Sequence, residues 1–322
     1  MRAIRVHGVG AGSTLRMEEV PTPAPAEDQI RIRTAAIGVN RADVGRRIAP
    51  AQGAPPDPAI PGLDVAGTVD AVGSRVTGWS RGDRVMALAR GTYAEYVLAN
   101  PALACRVPEG MAFPEAASIP CVFLTAWYSL TKLAQMRSGE TVVVHAAGSG
   151  VGMAGIQIAK ALGARVIGTA GSDAKLEKAR GLGMTAGVNY STQDVATELL
   201  RLTGSKGADV VLDSVGGAVF DATLRALAAG GRIVTVGSPA GPRSTPDPQA
   251  LTAKRQRIQA SGVFNDASAD TEGRGWAQLA TWLRDGTIKP VIDHVLPWTQ
   301  AEAAQRLLLD RAVFGKVVMT VT

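Results

Sequence analysis

Cysteine and histidine are scarce in this chain of 322 residues, which contains two of the first and three of the second. Cys105 and Cys121 cannot build a disulfide framework or a four-cysteine zinc site, so the sequence indicates a reducing compartment. His7, His145 and His294 show no spacing typical of metal ligands. The sequence therefore predicts no metal site.

Long apolar runs are lacking as well. Residues 141–159, the longest stretch free of Asp, Glu, Lys and Arg, just reach transmembrane length but are interrupted by His145 and by several glycines. The first residues carry scattered charge and no apolar core of signal-peptide length. We therefore expect a cytoplasmic protein with no membrane partner.

Aromatic residues make up only 4% of the chain, and its net charge of +6 is modest for its length. Basic residues are dispersed apart from Arg46-Arg47 and residues 254–257. Nucleic-acid binding would require a denser basic stripe with aromatic side chains beside it, so a solvated surface is the favoured interpretation. We expect the partner to be a small molecule.

The composition, 46% hydrophobic and 19% charged, is that of a globular protein, and the length predicts about two domains. The N-terminal part alternates apolar and polar residues, which predicts a barrel or sandwich of short strands. The strands are expected at residues 29–33, 65–73, 83–86 and 93–97. Residues 49–61, rich in proline, are expected to form an irregular loop.

From Pro114 onward the pattern changes to alternating helices and apolar strands, which predicts a parallel sheet covered by helices. We expect helices at 116–133, 174–181 and 220–228, and strands at 140–145, 165–170, 208–213, 232–237 and 259–264, with a short one at Val188. The chain is then expected to return to the first domain, with helices at 276–284 and 299–309, the second capped by Thr299, and strands at 291–295 and 316–321.

A glycine-rich loop is the strongest local signal. Gly148, Gly150 and Gly152 lie between the predicted strand at 140–145 and a helix. Such a turn presents unpaired N–H groups and the positive end of a helix dipole to a pyrophosphate. Its position at the start of a run of βα units favours this interpretation over a tight turn of purely structural role.

The second strand of the run indicates which dinucleotide is bound. An NAD site would place an acid at the end of that strand, where this chain has Ala170. Ser172 and Lys175 follow and suit the 2′-phosphate of NADP. Asp173 opposes this assignment unless it is a first-turn helix acid that faces away, and Lys175 could also be a solvated helix residue.

Motifs spread along the chain resemble the medium-chain dehydrogenase/reductase superfamily and, within it, the zinc-independent quinone oxidoreductases that include zeta-crystallin. They are Gly-Val-Asn-Arg-Ala-Asp at 38–43, Pro-Gly-Leu-Asp-Val-Ala-Gly at 61–67, Thr-Ala-Trp at 125–127, the loop at 145–152 and Gly-Lys-Val-Val at 315–318. The resemblance implies an α/β fold. A GroES-like β-barrel domain, residues 1–118 and 263–322, would enclose a Rossmann NADP-binding domain with a doubly wound parallel sheet, residues 119–262, and the active site would lie in the cleft.

The resemblance also implies roles for individual residues. Asn40, Thr125 and Phe264 would lie near the nicotinamide, and Asn40, Asp43 and Thr125 are the catalytic candidates. The remaining cofactor contacts would be Gly150 and Val151 at the pyrophosphate, Ser172, Lys175 and Tyr190 at the 2′-phosphate, and Lys316. Because Tyr190 matches the tyrosine of relatives that use NADPH, NADPH is expected rather than NADH.

In the zinc-dependent branch of the superfamily, a catalytic metal is bound at the positions that here hold Asn40, Leu63 with Asp64, and Cys121. Only one plausible ligand remains. Alcohol oxidation relies on a Lewis acid to stabilise an alkoxide. Without a metal, acceptors that delocalise their own negative charge are favoured, so the sequence predicts reduction of a quinone or of an α,β-unsaturated carbonyl compound.

Several alternatives stay open. Relatives often have a tyrosine where this chain has Gly45 followed by Arg46-Arg47, which leaves the substrate end undefined. For Asp43 and Asp64 a structural role is favoured over that of general acid, and Cys121 could be a buried small side chain or a reactive thiol. The alternative functions are a crystallin-like NADPH-binding protein with weak catalysis, for which RNA is a candidate partner, and an alcohol dehydrogenase with an unusual zinc site. A homodimer formed through the strand at 259–264 is expected.

Overall fold

The computed structural model describes residues 1–10, 12–48, 59–270 and 272–321. The chain divides into two compact units. The first comprises Met1–Cys121, Ser268–Asp285 and Lys289–Thr322, and the second comprises Val122–Ala267 and Gly286–Ile288. The boundaries expected from the sequence, after residues 118 and 262, stay predictions. Most of the expected proline-rich loop, residues 49–58, lies outside the described residues.

The strands are, in chain order, β1 Arg2–His7, β2 Thr14–Glu19, β3 Ile30–Val39, β4 Asp64–Val72, β5 Arg84–Leu88, β6 Tyr96–Ala99, β7 Ala104–Arg106, β8 Thr141–Val144, β9 Arg165–Ala170, β10 Ala186–Asn189, β11 Ala208–Asp213, β12 Leu227–Thr235, β13 Arg257–Ala260, β14 Ile292–Pro297 and β15 Lys316–Thr320.

The helices are α1 Arg41–Ile48, α2 Phe113–Ala117, α3 Pro120–Tyr128, α4 Gly150–Ala161, α5 Asp173–Arg180, α6 Val195–Leu202, α7 Gly217–Arg225, α8 Pro248–Ala253, α9 Val263–Ser268, α10 Arg274–Arg284 and α11 Ala301–Leu309. A π-helical turn, Ser129–Leu133, extends α3, and 3₁₀ turns occupy Pro101–Leu103 and Trp298–Gln300. No helix within the described ranges is both long and apolar enough to cross a bilayer.

The first unit is built on a mainly antiparallel sheet whose described strands follow the order β14-β15-β3-β4-β5-β7. Strand β3 is long enough to pair with β4 along one edge and with both β6 and β15 along the other. Ile30 and Ile32 of β3 pack with Val65 and Val85 in a fully buried cluster, as expected for strands that alternate inward and outward side chains. The alternating pattern near the N-terminus therefore predicted β3, β4 and β5, whereas the strand expected at 93–97 is displaced to β6 and β7 was not expected.

The second unit has a parallel sheet in the order β10-β9-β8-β11-β12-β13 among its described strands. The strand order reverses between β8 and β11, which makes the sheet doubly wound. Its central strands are short apolar runs buried on both faces, such as Val142 to Val144. The predicted α/β class with a parallel sheet is confirmed.

Some element bounds differ from the prediction. The helix predicted at 116–133 is broken before Pro120, since a proline cannot donate the backbone bond that a continuous helix needs. The helix predicted at 220–228 ends at Arg225, because Leu227 pairs with β11. The strand predicted at 259–264 ends at Ala260, so Phe264 is helical.

The N-cap predicted for the helix at 299–309 is also wrong. Thr299 lies inside the 3₁₀ turn, and Gln300 is the N-cap of α11. By contrast, β9 and β11 have the bounds expected from the sequence, because each is a short, mainly apolar segment.

Candidate functional site

The glycine loop of the second unit joins β8 to the N-terminus of α4. Ser149 is the N-cap, and its Oγ accepts a hydrogen bond of 3.0 Å from the N–H of Gly152. A Cβ on Gly152 would collide with the carbonyl of Ala146, so only glycine fits there. Gly150 and Val151 lie in the first turn of α4, and their contact with a pyrophosphate stays a prediction.

A fully buried histidine, His145, links strand β9 to helix α7 at the base of this loop. Its Nδ1 lies 2.9 Å from Thr169 Oγ1, and its Nε2 lies 2.9 Å from Thr223 Oγ1. The Thr223 hydroxyl donates to the Val219 carbonyl over 2.7 Å, so it accepts from an Nε2–H group, and Nδ1 accepts from Thr169. Burial lowers the pKa of His145 to about 4, against an opposing effect of the Asp213 charge, so the ring is neutral.

Beside the glycine loop, the ends of β9 and β10 bring together three of the residues predicted to hold a 2′-phosphate. Ser172 is the N-cap of α5, and within the described chain its hydroxyl accepts no bond from the helix N–H groups. The Tyr190 ring lies over Gly171, 3.1 Å from where a Cβ would stand. Lys175 is half-buried in the first turn of α5.

Asp173, the acid that opposed NADP in the sequence, is engaged elsewhere. Its Oδ1 accepts a 2.9 Å hydrogen bond from Asn189 Nδ2. Asn189 is only 5% exposed, and its own Oδ1 accepts from the Ser191 N–H. The carboxylate is therefore held against the end of β10 by a rigid partner.

A buried carboxylate that the sequence did not single out, Asp213, ends β11, the strand next to β8. Asp213 Oδ1 accepts from the N–H groups of Val215 and Gly216, at 2.9 and 3.0 Å. Its Oδ2 accepts from Arg243 Nε at 2.8 Å. Arg243 is the single basic residue of a loop rich in proline, glycine and serine. In the sequence, only that contrast indicates a specific role for Arg243.

The first unit contains a separate polar cluster, centred on Lys316. The ammonium donates to the Val39 carbonyl at 3.0 Å, to Asn40 Oδ1 at 2.7 Å and to Asp64 Oδ2 at 3.0 Å. Asn40 Nδ2 also donates to Asp64 Oδ2, at 2.9 Å. All these side chains are buried, so three oxygens of the protein match the three ammonium protons. The cofactor role expected for Lys316 stays a prediction.

Asp43 extends this cluster into the core of the first unit. Its Oδ2 accepts from the Asn40 N–H at 2.9 Å and from the Tyr93 hydroxyl at 3.3 Å. Burial, together with the Asp43 charge, raises the pKa of Tyr93 well above its ordinary value, so the phenol stays protonated. These contacts give Asp43 the bonds of a residue that fixes the start of α1.

The positions aligned with zinc ligands also meet in this cluster, since the Cys121 N–H donates to Asp64 Oδ1 at 2.6 Å. Leu63 is buried beside them. Across the residues that the structure describes, no group of three His, Cys, Asp or Glu side chains is placed to hold a metal ion. Of the other predicted site residues, Thr125 is buried in α3 and Phe264 is half-buried in α9, both in the second unit.

Two family profiles match the chain. Residues 26–109 match the alcohol dehydrogenase GroES-like domain, and residues 150–280 match the zinc-binding dehydrogenase domain. The predicted GroES-like fold of the first unit is thereby confirmed.

Curated relatives cover the whole length of the chain. Quinone oxidoreductase of Sus scrofa is 32% identical over 99% of this chain and 97% of its own length. The spectinabilin polyketide synthase system protein NorB of Streptomyces orinoci is 36% identical over 98% of this chain, which spans only 14% of that protein.

Solved structures are similar over the same extent. An NAD-dependent alcohol dehydrogenase is 36% identical with a TM-score of 0.90, each chain being covered completely. Escherichia coli quinone oxidoreductase complexed with NADPH is 29% identical with a TM-score of 0.89, covering 99% of this chain and 100% of that one. The CurK enoyl reductase is 28% identical with a TM-score of 0.88, again over both complete chains.

Proposed function

The chain belongs to the zinc-independent quinone oxidoreductase branch of the medium-chain dehydrogenase/reductase superfamily, and from this membership we propose that it is an NADPH-dependent reductase of quinones or α,β-unsaturated carbonyl compounds. The observation that carries the proposal is the position of Ser172, Lys175 and Tyr190 at the ends of β9 and β10, where the neighbouring Asp173 carboxylate is bonded to Asn189. The likeness to an NADPH-complexed quinone oxidoreductase and to an enoyl reductase supports both acceptor classes.

The second unit fits a dinucleotide. The first turn of α4 offers N–H groups and a positive dipole end, and glycine at position 152 keeps side-chain atoms away from them. Gly150 and Val151 would hold the pyrophosphate. When bound, NADPH supplies a hydride from its nicotinamide ring.

The adenosine end of the site fits NADPH rather than NADH. A 2′-phosphate carries charge that a carboxylate would repel, and the position where NAD sites carry an acid is Ala170. Asp173 is bonded to Asn189. Ser172 and Tyr190 would donate their hydroxyl protons to the phosphate, and Lys175 would neutralise it.

For the reacting end, we keep Asn40, Asp43 and Thr125 as the proposed catalytic residues and Phe264 as a proposed contact of the nicotinamide. Lys316 fixes the Asn40 amide, since it bonds Oδ1 while Asp64 accepts from Nδ2. A quinone or an enone accepts hydride without a Lewis acid because oxygen atoms take up the negative charge by conjugation. The proton that completes an enone reduction comes from water in this proposal.

Steady-state assays with 1,4-quinones and simple enones, each with NADPH and with NADH, test the proposal. We expect turnover with at least one acceptor class and a clear preference for NADPH. The absence of turnover on both classes would contradict the proposal.

The Lys175→Ala variant tests the 2′-phosphate assignment, with Lys178→Ala on the same helix as its control. Loss of one charge-assisted contact should raise the Michaelis constant for NADPH by about tenfold and leave that for NADH within about twofold. Lys178→Ala should change neither constant. Equal effects on both cofactors, or equal effects of the two variants, would refute the assignment.

The likeness to an NAD-dependent alcohol dehydrogenase makes alcohol oxidation the second candidate. That chemistry would need a metal, whereas Asn40, Leu63 and Cys121 hold the ligand positions of this chain. Elemental analysis and an alcohol oxidation assay separate the two functions. Stoichiometric zinc together with NAD-linked alcohol turnover would replace our proposal.

A further inference from the structure

Residues 237–244, called the strap below, follow β12 at the carboxyl edge of the parallel sheet. The strap contains two prolines and two glycines besides Arg243. It lies at the same edge as the glycine loop, because both leave the carboxyl ends of parallel strands. Ligands of doubly wound sheets bind outside this edge.

Arg243 ties the strap to the sheet. Its Nε donates to Asp213 Oδ2 at 2.8 Å, and its Nη2 donates to the Gly237 carbonyl at the start of the strap. The guanidinium also lies 5.6 Å from the centre of the Phe220 ring. Since the Asp213 side chain is fully buried, Arg243 is the cation that neutralises it.

Two further bonds hold the strap, one to the turn at residues 214–217 and one to helix α7. The Ala240 N–H donates to the Val215 carbonyl at 3.0 Å, and Ser244 Oγ donates to Asp221 Oδ1 at 2.7 Å. Gly217 has a φ of +51°, and a Cβ there would stand 2.9 Å from the Ala240 carbonyl oxygen. The strap and the turn therefore pack closely against each other.

The turn is in contact with the base of the glycine loop. Ser214 Oγ donates to the His145 carbonyl at 3.1 Å. The strand order reverses between β8 and β11, so the crevice of this sheet lies between the glycine loop on one side and the turn with its strap on the other. The residues at the ends of β9 and β10 occupy the glycine-loop side.

We propose that Arg243 is a positioning residue for the nicotinamide half of NADPH. The adenosine 2′-phosphate is held at β9 and β10, so the other half of the dinucleotide crosses to the side of β11 and β12. On the side of β11 and β12, Arg243 holds the strap and the 214–217 turn together. This inference rests on the proposed function, and it assigns Arg243 no contact with the adenosine half.

The Arg243→Met variant tests the proposal, because methionine retains much of the side-chain length and removes the charge and the hydrogen bonds. Arg225→Met is the matched control, since Arg225 lies on α7, is 62% exposed and stands 3.9 Å from its acidic partner. Two ligands are titrated: NADPH, which spans both halves, and adenosine 2′,5′-bisphosphate, which fills only the adenosine half.

We expect Arg243→Met to weaken NADPH by about tenfold and to leave adenosine 2′,5′-bisphosphate within about twofold, with a lower kcat on a quinone. Arg243→Lys should give an intermediate loss of NADPH affinity. A lysine ammonium can bond Asp213, but it lacks the forked guanidinium that also bonds the Gly237 carbonyl. Arg225→Met should change neither ligand.

Asp213→Asn is a second variant, which keeps an oxygen to accept from the N–H groups of Val215 and Gly216. It should weaken NADPH as Arg243→Met does, and the double variant should be no weaker than either single one. Unchanged NADPH binding in Arg243→Met, or an equal loss for the two ligands, overturns the proposal. If the wild-type protein binds neither ligand, the proposed function fails, and this inference fails with it. If the wild-type protein binds both ligands and only the variant results disagree, this inference fails and the proposed function stands.

Discussion

The neutral, buried His145 makes the stability of the second unit depend on pH in a defined way. Its pKa is about 4 in the folded protein, compared with 6.5 for an ordinary histidine. The unfolded chain therefore binds the proton more readily, and this group lowers stability as the pH falls below 6.5. The loss levels off near pH 4, where the folded state is protonated as well.

The size of the effect follows from the two pKa values. At about 1.4 kcal/mol per pKa unit, the free energy of unfolding should fall by about 2.5 kcal/mol between pH 7.5 and pH 4.5 through His145 alone. Carboxylates and the other histidines contribute separately. The His145→Gln variant keeps a donor toward Thr223 but has no titrating group at this position. The pH dependence of its stability therefore comes from the carboxylates and the other histidines alone.

Urea unfolding of wild type and His145→Gln at several pH values gives the two free energies. We expect the advantage of the wild type over the variant to shrink by about 2.5 kcal/mol from pH 7.5 to pH 4.5. Proton and carbon NMR of labelled histidines measures the pKa directly, with the variant identifying the His145 signal. A difference that is independent of pH, or a His145 signal that titrates near 6.5, would refute the argument.

Two further predictions concern the buried cluster and the glycine loop. Lys316→Met leaves the Asp64 carboxylate buried without its cation and should lower the free energy of unfolding in urea by about 3–5 kcal/mol. The double variant Lys316→Met with Asp64→Asn should restore most of that loss. A cost below about 1 kcal/mol for the single variant would contradict the ion pair. Gly152→Ala pushes a methyl group into the Ala146 carbonyl and should weaken NADPH binding by at least about tenfold in titrations. Gly45→Ala, where the space is open, should leave NADPH binding unchanged. Equal NADPH affinities of the two variants would contradict a tight loop.

Local patterns in the sequence predicted the elements that carry the proposed cofactor site. The mainly apolar segments of β9 and β11 and the glycines that follow β8 are short-range signals, which need no knowledge of packing. Helix α6 is not among the predicted elements, although Val195 and Leu199 are spaced as the buried face of an amphipathic helix.

Contacts between distant residues were not predictable in the same way. His145 meets Thr223 across 78 residues of chain, and Arg243 meets Asp213 across 30. No periodicity reports such pairs, because they depend on which strand ends become neighbours in the sheet. The bonds of Lys316 to Asn40 and Asp64 are of the same kind, and they leave the cofactor contact expected for Lys316 a prediction.

The position of β15 sets an order in which this chain can fold during synthesis. Strand β15 lies beside β3, and Lys316 meets Asn40 across 276 residues. A nascent chain that has completed residues 122–267 already contains every strand of the parallel sheet, but its β3 still lacks one neighbour and its Asp64 still lacks a cation. The parallel sheet can therefore form first, while the antiparallel sheet waits with an open edge until the last strand is made.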